Sequence, residues 1–105
     1  MNYKKESIMI DIYPDMAVKF HAKGVAEGYL LVTFSGYDWV SGYTIVPGDD
    51  STYACIGDFR RKVPHHHIDA VYQAKKRLRG FDRKELFALV HGYPAEKKPR
   101  CVWKS

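Results

Sequence analysis

A chain of 105 residues with 46% apolar and 14% aromatic side chains can bury a core as a single domain, 1–105, and is too apolar for a disordered polymer. No apolar run reaches the length of a membrane span, and residues 1–7 precede too short a hydrophobic stretch for a secretory signal, so the expectation is a cytoplasmic protein with no membrane partner. The net charge of +5 is unevenly spread: residues 1–57 carry four basic and seven acidic side chains, and residues 58–105 carry thirteen and five. That asymmetry predicts one face turned toward an anionic partner.

Residues 7–13 alternate Ile8, Ile10 and Ile12 with more polar neighbours, the period of a half-buried strand, and Pro14-Asp15 breaks the run. Residues 16–22 repeat the pattern with Met16, Val18, Phe20 and Ala22 on one side, so the two runs read as a hairpin. A turn at 24–28 leads to residues 29–34, apolar on both faces and therefore a central strand with cover on each side. The next stretch, 36–43, is dense in aromatic residues. Tyr37, Trp39 and Tyr43 are candidate anchors for a protein partner if exposed, with a fold back over the sheet as the competing reading for Trp39. Residues 42–46 and 52–56 read as strands joined through Pro47-Gly48, which suits a type II turn. This strand-rich region covers 7–57.

Beyond Gly57 the period changes. Ile68, Val71, Tyr72, Ala74 and Leu78 share an arc of a helical wheel, Pro64 fits a first turn and Gly80 a stop, which predicts a helix over 65–79. Asp82 followed by Glu85 has the form of a capping box and predicts a second helix over 82–91, with Leu86, Phe87, Leu89 and Val90 inward and Gly92 and Pro94 ending it. Residues 58–92 thus form a helical and basic region, and 93–105 a tail or edge strand centred on Cys101-Val102-Trp103. Cys55 and Cys101 each lie in an apolar run, and a buried reduced thiol is the expected state of both.

His65, His66 and His67 invite a metal site, with Asp58, Asp69, His21 or His91 to complete it. Three consecutive imidazoles diverge, however, and no recurrent ligand spacing supports it, so no metal and no cofactor are expected. Nucleophile-elbow, phosphate-loop and paired-carboxylate signatures are also missing, and the expectation is that the protein is not an enzyme. A metal-independent nuclease, with the three histidines working beside Arg60 and Arg61, is a minor alternative.

The main functional signal is the basic set Arg60, Arg61, Lys62, Lys75, Lys76, Arg77, Arg79, Arg83 and Lys84. Helix, turn and helix match a DNA-reading helix-turn-helix only in outline, because the second helix is short and apolar, so phosphate attraction without strong sequence preference is the better reading. The expected fold is α+β: an antiparallel sheet of four to six strands with two helices packed on one face. The expected function is a binding module that engages nucleic acid or a nucleoprotein. The alternative is a protein-interaction inhibitor or adaptor, of a size and charge suited to an accessory protein of a phage or mobile element acting on a host nucleoprotein machine.

Overall fold

The structure, a computed structural model, describes residues 11–22, 25–47, 54–75 and 80–105. They form an α+β fold with one six-stranded antiparallel sheet and one α-helix. The strands are β1 (Ala17–Ala22), β2 (Val25–Ser35), β3 (Trp39–Pro47), β4 (Ala54–Pro64), β5 (Ile68–Gln73) and β6 (Arg100–Lys104), in the spatial order β4-β3-β2-β1-β5-β6. The expected central strand is β2, which pairs with β1 through Leu30↔Val18 and with β3 through Leu31↔Tyr43. The expected edge strand at the C-terminus is β6, paired with β5 through Trp103↔Val71.

The sheet is curled. Arg61 of β4 lies over the Phe20 ring of β1, 5.3 Å from its centroid, although two strands separate β4 from β1 in the sheet. A 3-10 turn of only three residues, His65–His67, carries the chain from the end of β4 to β5 on the far side of β1. So short a link reaches across only if the sheet wraps around its concave face. That face holds the larger core: Val18 and Phe20 of β1, Leu30 and Val32 of β2, Val40, Val63, Ile68 and Val71, with Ile12 and Met16 from the segment before β1 and Trp103 packed against them. Each fully buried Leu or Phe here contributes about 1.5–3 kcal/mol. The close approach of β3 to β2 requires glycine at 42, since a Cβ there would lie 1.8 Å from the Leu31 carbonyl oxygen.

The convex face carries a second cluster, Ala17, Ile45, Leu86 and Leu89, supported by Tyr29, Leu31, Tyr72, Phe81 and Val90. It is covered by α1 (Arg83–His91), which lies against β3 and β4. The capping box is formed as expected: Glu85 N donates to Asp82 Oδ1 at 2.8 Å, and Asp82 N donates to Glu85 Oε1 at 3.2 Å. Gly92 closes the helix in the left-handed region with φ 87°.

Several expectations require correction. The helix over 65–79 is not formed: 65–67 is a 3-10 turn and Ile68–Gln73 is strand β5, so one helix rather than two covers the sheet. The reason is burial on both sides. Val71 lies in the concave core while Ala70 and Tyr72 are covered on the convex side, and a register shift opposite Lys19 and Phe20 brings Ile68 into the concave core as well, so the period-two signature is lost. Ile68, Val71 and Tyr72 also suit a strand by composition. The sheet is not confined to 7–57, because β4 runs to Pro64 and β5 and β6 follow it. Asp11–Tyr13 belong to no strand, and the remainder of the proposed 7–13 strand lies outside the described residues, as do the turn at 48–50 and residues 76–79. Cys101 is an exposed free thiol, not a buried one. The strands carrying Cys55 and Cys101 are the two opposite edges of the sheet.

Candidate nucleic-acid interface

Alternation along paired strands places Trp39, Ser41 and Tyr43 of β3 beside Arg60 and Lys62 of β4 on the convex face, through the pairs Tyr43↔Arg60 and Ser41↔Lys62. The helix covers this face around Ala17, Tyr29, Leu31, Ile45 and Tyr72, while Arg60 and Lys62 are exposed and Trp39, Ser41 and Tyr43 half-buried, which leaves this part of the face as an open wall. Lys62 Nζ stands 4.2 Å from the centre of the Trp39 ring, and the Arg60 guanidinium lies 5.6 Å from the centre of Tyr43 while donating to Thr33 Oγ1 at 3.3 Å. Each cation rests on an aromatic face, and among the described residues neither has a carboxylate partner, an arrangement that holds charge in place without neutralising it.

The wall ends in the tight turn between β2 and β3. Gly36 N donates to Trp39 O at 2.8 Å, and the indole packs so closely over Gly36 that a Cβ there would lie 2.5 Å from the ring. Phe34 meets Trp39 at 5.4 Å between ring centres. Phe34 is 53% exposed and Tyr37 97%, so the turn presents unburied aromatic surface next to two cations. A cleft of about 400 Å³ opens beside it, lined by Asp38, Trp39, Lys62, Pro64, His65 and His66. His65 is anchored there by its backbone N–H, which donates to Asp38 O at 2.8 Å. Burial lowers the His65 pKa from 6.5, and Asp38 partly opposes this.

The nine basic residues do not act as one patch. Arg60 and Lys62 share the convex wall with Trp39 and Tyr43, whereas Arg61 points to the concave face over Phe20. Lys75 Nζ bonds the Glu96 carbonyl oxygen, and its N–H donates to Glu85 Oε2 at 3.0 Å. Arg83 and Lys84 are exposed on the first turn of α1. Lys76, Arg77 and Arg79 lie outside the described residues.

The histidines and Asp69 that the sequence offered only as a possible metal site form a second constellation. His21 Nδ1 lies 2.9 and 3.0 Å from the two carboxylate oxygens of Asp69, joining β1 to β5. The His21 ring stands 5.4 Å from His67, and His67 stands 4.4 Å from His66 in an edge-on contact. The missed signal was the strand pairing itself, since 48 residues separate His21 from Asp69. His91 is elsewhere, stacked on Phe87 at 4.3 Å. Among the described residues no three His, Cys, Asp or Glu side chains are grouped so as to hold a metal ion. No described helix is long and apolar enough to cross a membrane. No family model, curated protein or solved structure matches the chain.

Proposed function

We propose that this protein binds nucleic acid in the cytoplasm, and that the open convex wall receives a single strand. Bases stack against the exposed rings of Phe34 and Tyr37, and phosphates meet Lys62 and Arg60, which Trp39 and Tyr43 hold in place. The observation that carries this reading is the interleaving of cations with aromatic faces on one accessible wall, Lys62 on Trp39 and Arg60 on Tyr43. Magnitudes favour a single strand over a duplex. Stacking on an aromatic contributes about 1–3 kcal/mol per base, whereas an exposed ion pair contributes about 0–1 kcal/mol. Only an unpaired strand offers its base faces to a wall of this kind. The helix adds no duplex reader, because Leu86 and Leu89 are committed to the sheet and the first helix of the expected pair is a strand.

Titration of labelled single- and double-stranded DNA and RNA at low and moderate salt tests the reading. Tighter binding of the single strands, weakening as salt rises, is expected; no binding to any of the four at low salt contradicts it. The exposure of Tyr37 and Phe34 also favours a second reading, a protein partner anchored on the same aromatics and steered by the same cations. Capture of a partner that survives nuclease treatment, and is lost on replacing Tyr37, Trp39 and Tyr43 with Ala, selects it.

A further inference from the structure

The imidazole cluster beside the cleft has an arrangement that binding alone does not need. His66 lines the cleft with Lys62 and Trp39, touches His67, and through it reaches the His21–Asp69 pair. A strand lying along the wall with a base near Trp39 would bring a neighbouring phosphodiester to these rings. We propose that His21 and His67 form a metal-independent acid–base pair that cleaves single-stranded RNA by transfer of its phosphate to the adjacent 2′-hydroxyl. The proposal rests on the nucleic-acid reading above and adds catalysis to it.

Geometry supplies the first argument. Two imidazoles with centres 5.4 Å apart can serve the attacking and leaving oxygens of one phosphorus, each within hydrogen-bond reach. Asp69 engages His21 Nδ1 through both carboxylate oxygens, which fixes the ring and leaves Nε2 as the working nitrogen of a side chain that is half exposed. The roles divide by environment and position. Burial, then His66 and His21 as neighbouring like charges, lower the His67 pKa from 6.5 and keep the ring neutral, while Asp69 opposes them. A neutral ring is suited to the base, and His21, held by Asp69 with Nε2 as its working nitrogen, takes the acid's place by position. Among the described residues, the other titratable groups around the cluster are Lys19 on the same side of β1 as His21, His65 and His66 on the turn, and Lys104, which pairs across from Ala70 on β6.

In the reaction, the 2′-oxygen bonds to phosphorus as its proton passes to His67. The bond from phosphorus to the 5′-oxygen breaks, and that oxygen takes a proton from His21 Nε2. The products are a 2′,3′-cyclic phosphate and a 5′-hydroxyl end. No oxidant, reductant or metal enters the balance, and proton exchange with water resets the two rings. Asp69 is a positioning residue, because it acts through His21.

The test incubates the full chain with a labelled single-stranded RNA and the same-sequence DNA in excess EDTA, with His21→Asn and His67→Asn purified in parallel and checked for wild-type melting. The expected result is bound but intact DNA, RNA cleaved to cyclic-phosphate ends identified by mass, and at least about 100-fold slower cleavage in either variant. The rate should rise with pH along a limb below pH 6.5, and Asp69→Asn, which removes the charge that opposes the lowering of the His67 pKa, should move that limb to lower pH where a purely structural role would only scale the rate. RNA that binds and stays intact overturns the catalytic inference and leaves the binding reading standing. RNA that neither binds nor breaks overturns both. Cleavage that persists in both variants belongs to a contaminating nuclease and also overturns the inference.

Discussion

Trp39 supports the proposed interface by seating Lys62 and packing against Phe34, and its own position depends on Gly36. The indole lies on Gly36, so Gly36→Ala forces the ring away from its place, and the affinity for a single strand should fall together with that of Trp39→Ala. Loss of the base stacked on Phe34, which packs against the indole, corresponds to about 1–3 kcal/mol, roughly a 5- to 150-fold weaker dissociation constant, readable by anisotropy. An unchanged affinity in Trp39→Ala would remove the indole from the interface. Tyr72 gives a residue-scale prediction about stability. Burial, with Tyr29 and Cys101 nearby, pushes its hydroxyl up to about 12 from 10.0. Between those values the unfolded chain has lost the proton and the folded chain keeps it, so the contribution is complete below pH 10 and fades as pH rises toward 12. Denaturant midpoints across that window should fall less steeply in Tyr72→Phe than in the wild type, and parallel slopes would show that the phenol is not shifted.

At the scale of elements, the helix was the most legible part of the sequence. Asp82, Glu85 and Gly92 act locally, so their spacing alone located α1, and all three occupy the expected cap positions. Asp82→Ala removes the acceptor of the Glu85 N–H and should cost about 0.5–2 kcal/mol in chemical denaturation; no loss would mean that the cap is dispensable. Glu85 is 6% exposed and also accepts from Lys75 N, tying the end of β5 to the helix. By contrast, the stretch 65–73 misled because its local pattern suits a helix while its partners, β1 and β6, lie far away in sequence. Pairing across a curled sheet leaves no short-range trace. For the same reason Tyr43 beside Arg60 and His21 beside Asp69 were invisible, although aromatic and basic residues had each been noticed separately. Gly42 belongs to this scale as well. A Cβ there collides with the β2 backbone, so Gly42→Ala should destabilise the sheet by about 1–3 kcal/mol or more, and a neutral change would contradict the tight β2–β3 approach.

For the whole molecule, the curl of the sheet separates structure from recognition. The concave face is spent on the main core, the helix covers one part of the convex face, and the part left open has Trp39, Tyr43, Arg60 and Lys62 together. The basic second half of the chain is therefore split by the fold. Arg61 serves the core side, Lys75 bonds the 3-10 turn Ala95–Lys97, and the pair on β4 faces outward with the aromatics. Net charge draws an anionic strand from a distance, over a range set by the ionic strength. The wall decides where it lands. The most direct measurement of this claim is the affinity for a labelled single-stranded oligonucleotide, at two salt concentrations, of the wild type, Arg60→Ala with Lys62→Ala, and Arg83→Ala with Lys84→Ala. Both doubles remove the same charge, so attraction by net charge alone should weaken them equally. The account predicts a much larger loss and a shallower salt dependence for the β4 pair; equal losses in the two doubles, or a larger one at the helix, would contradict it.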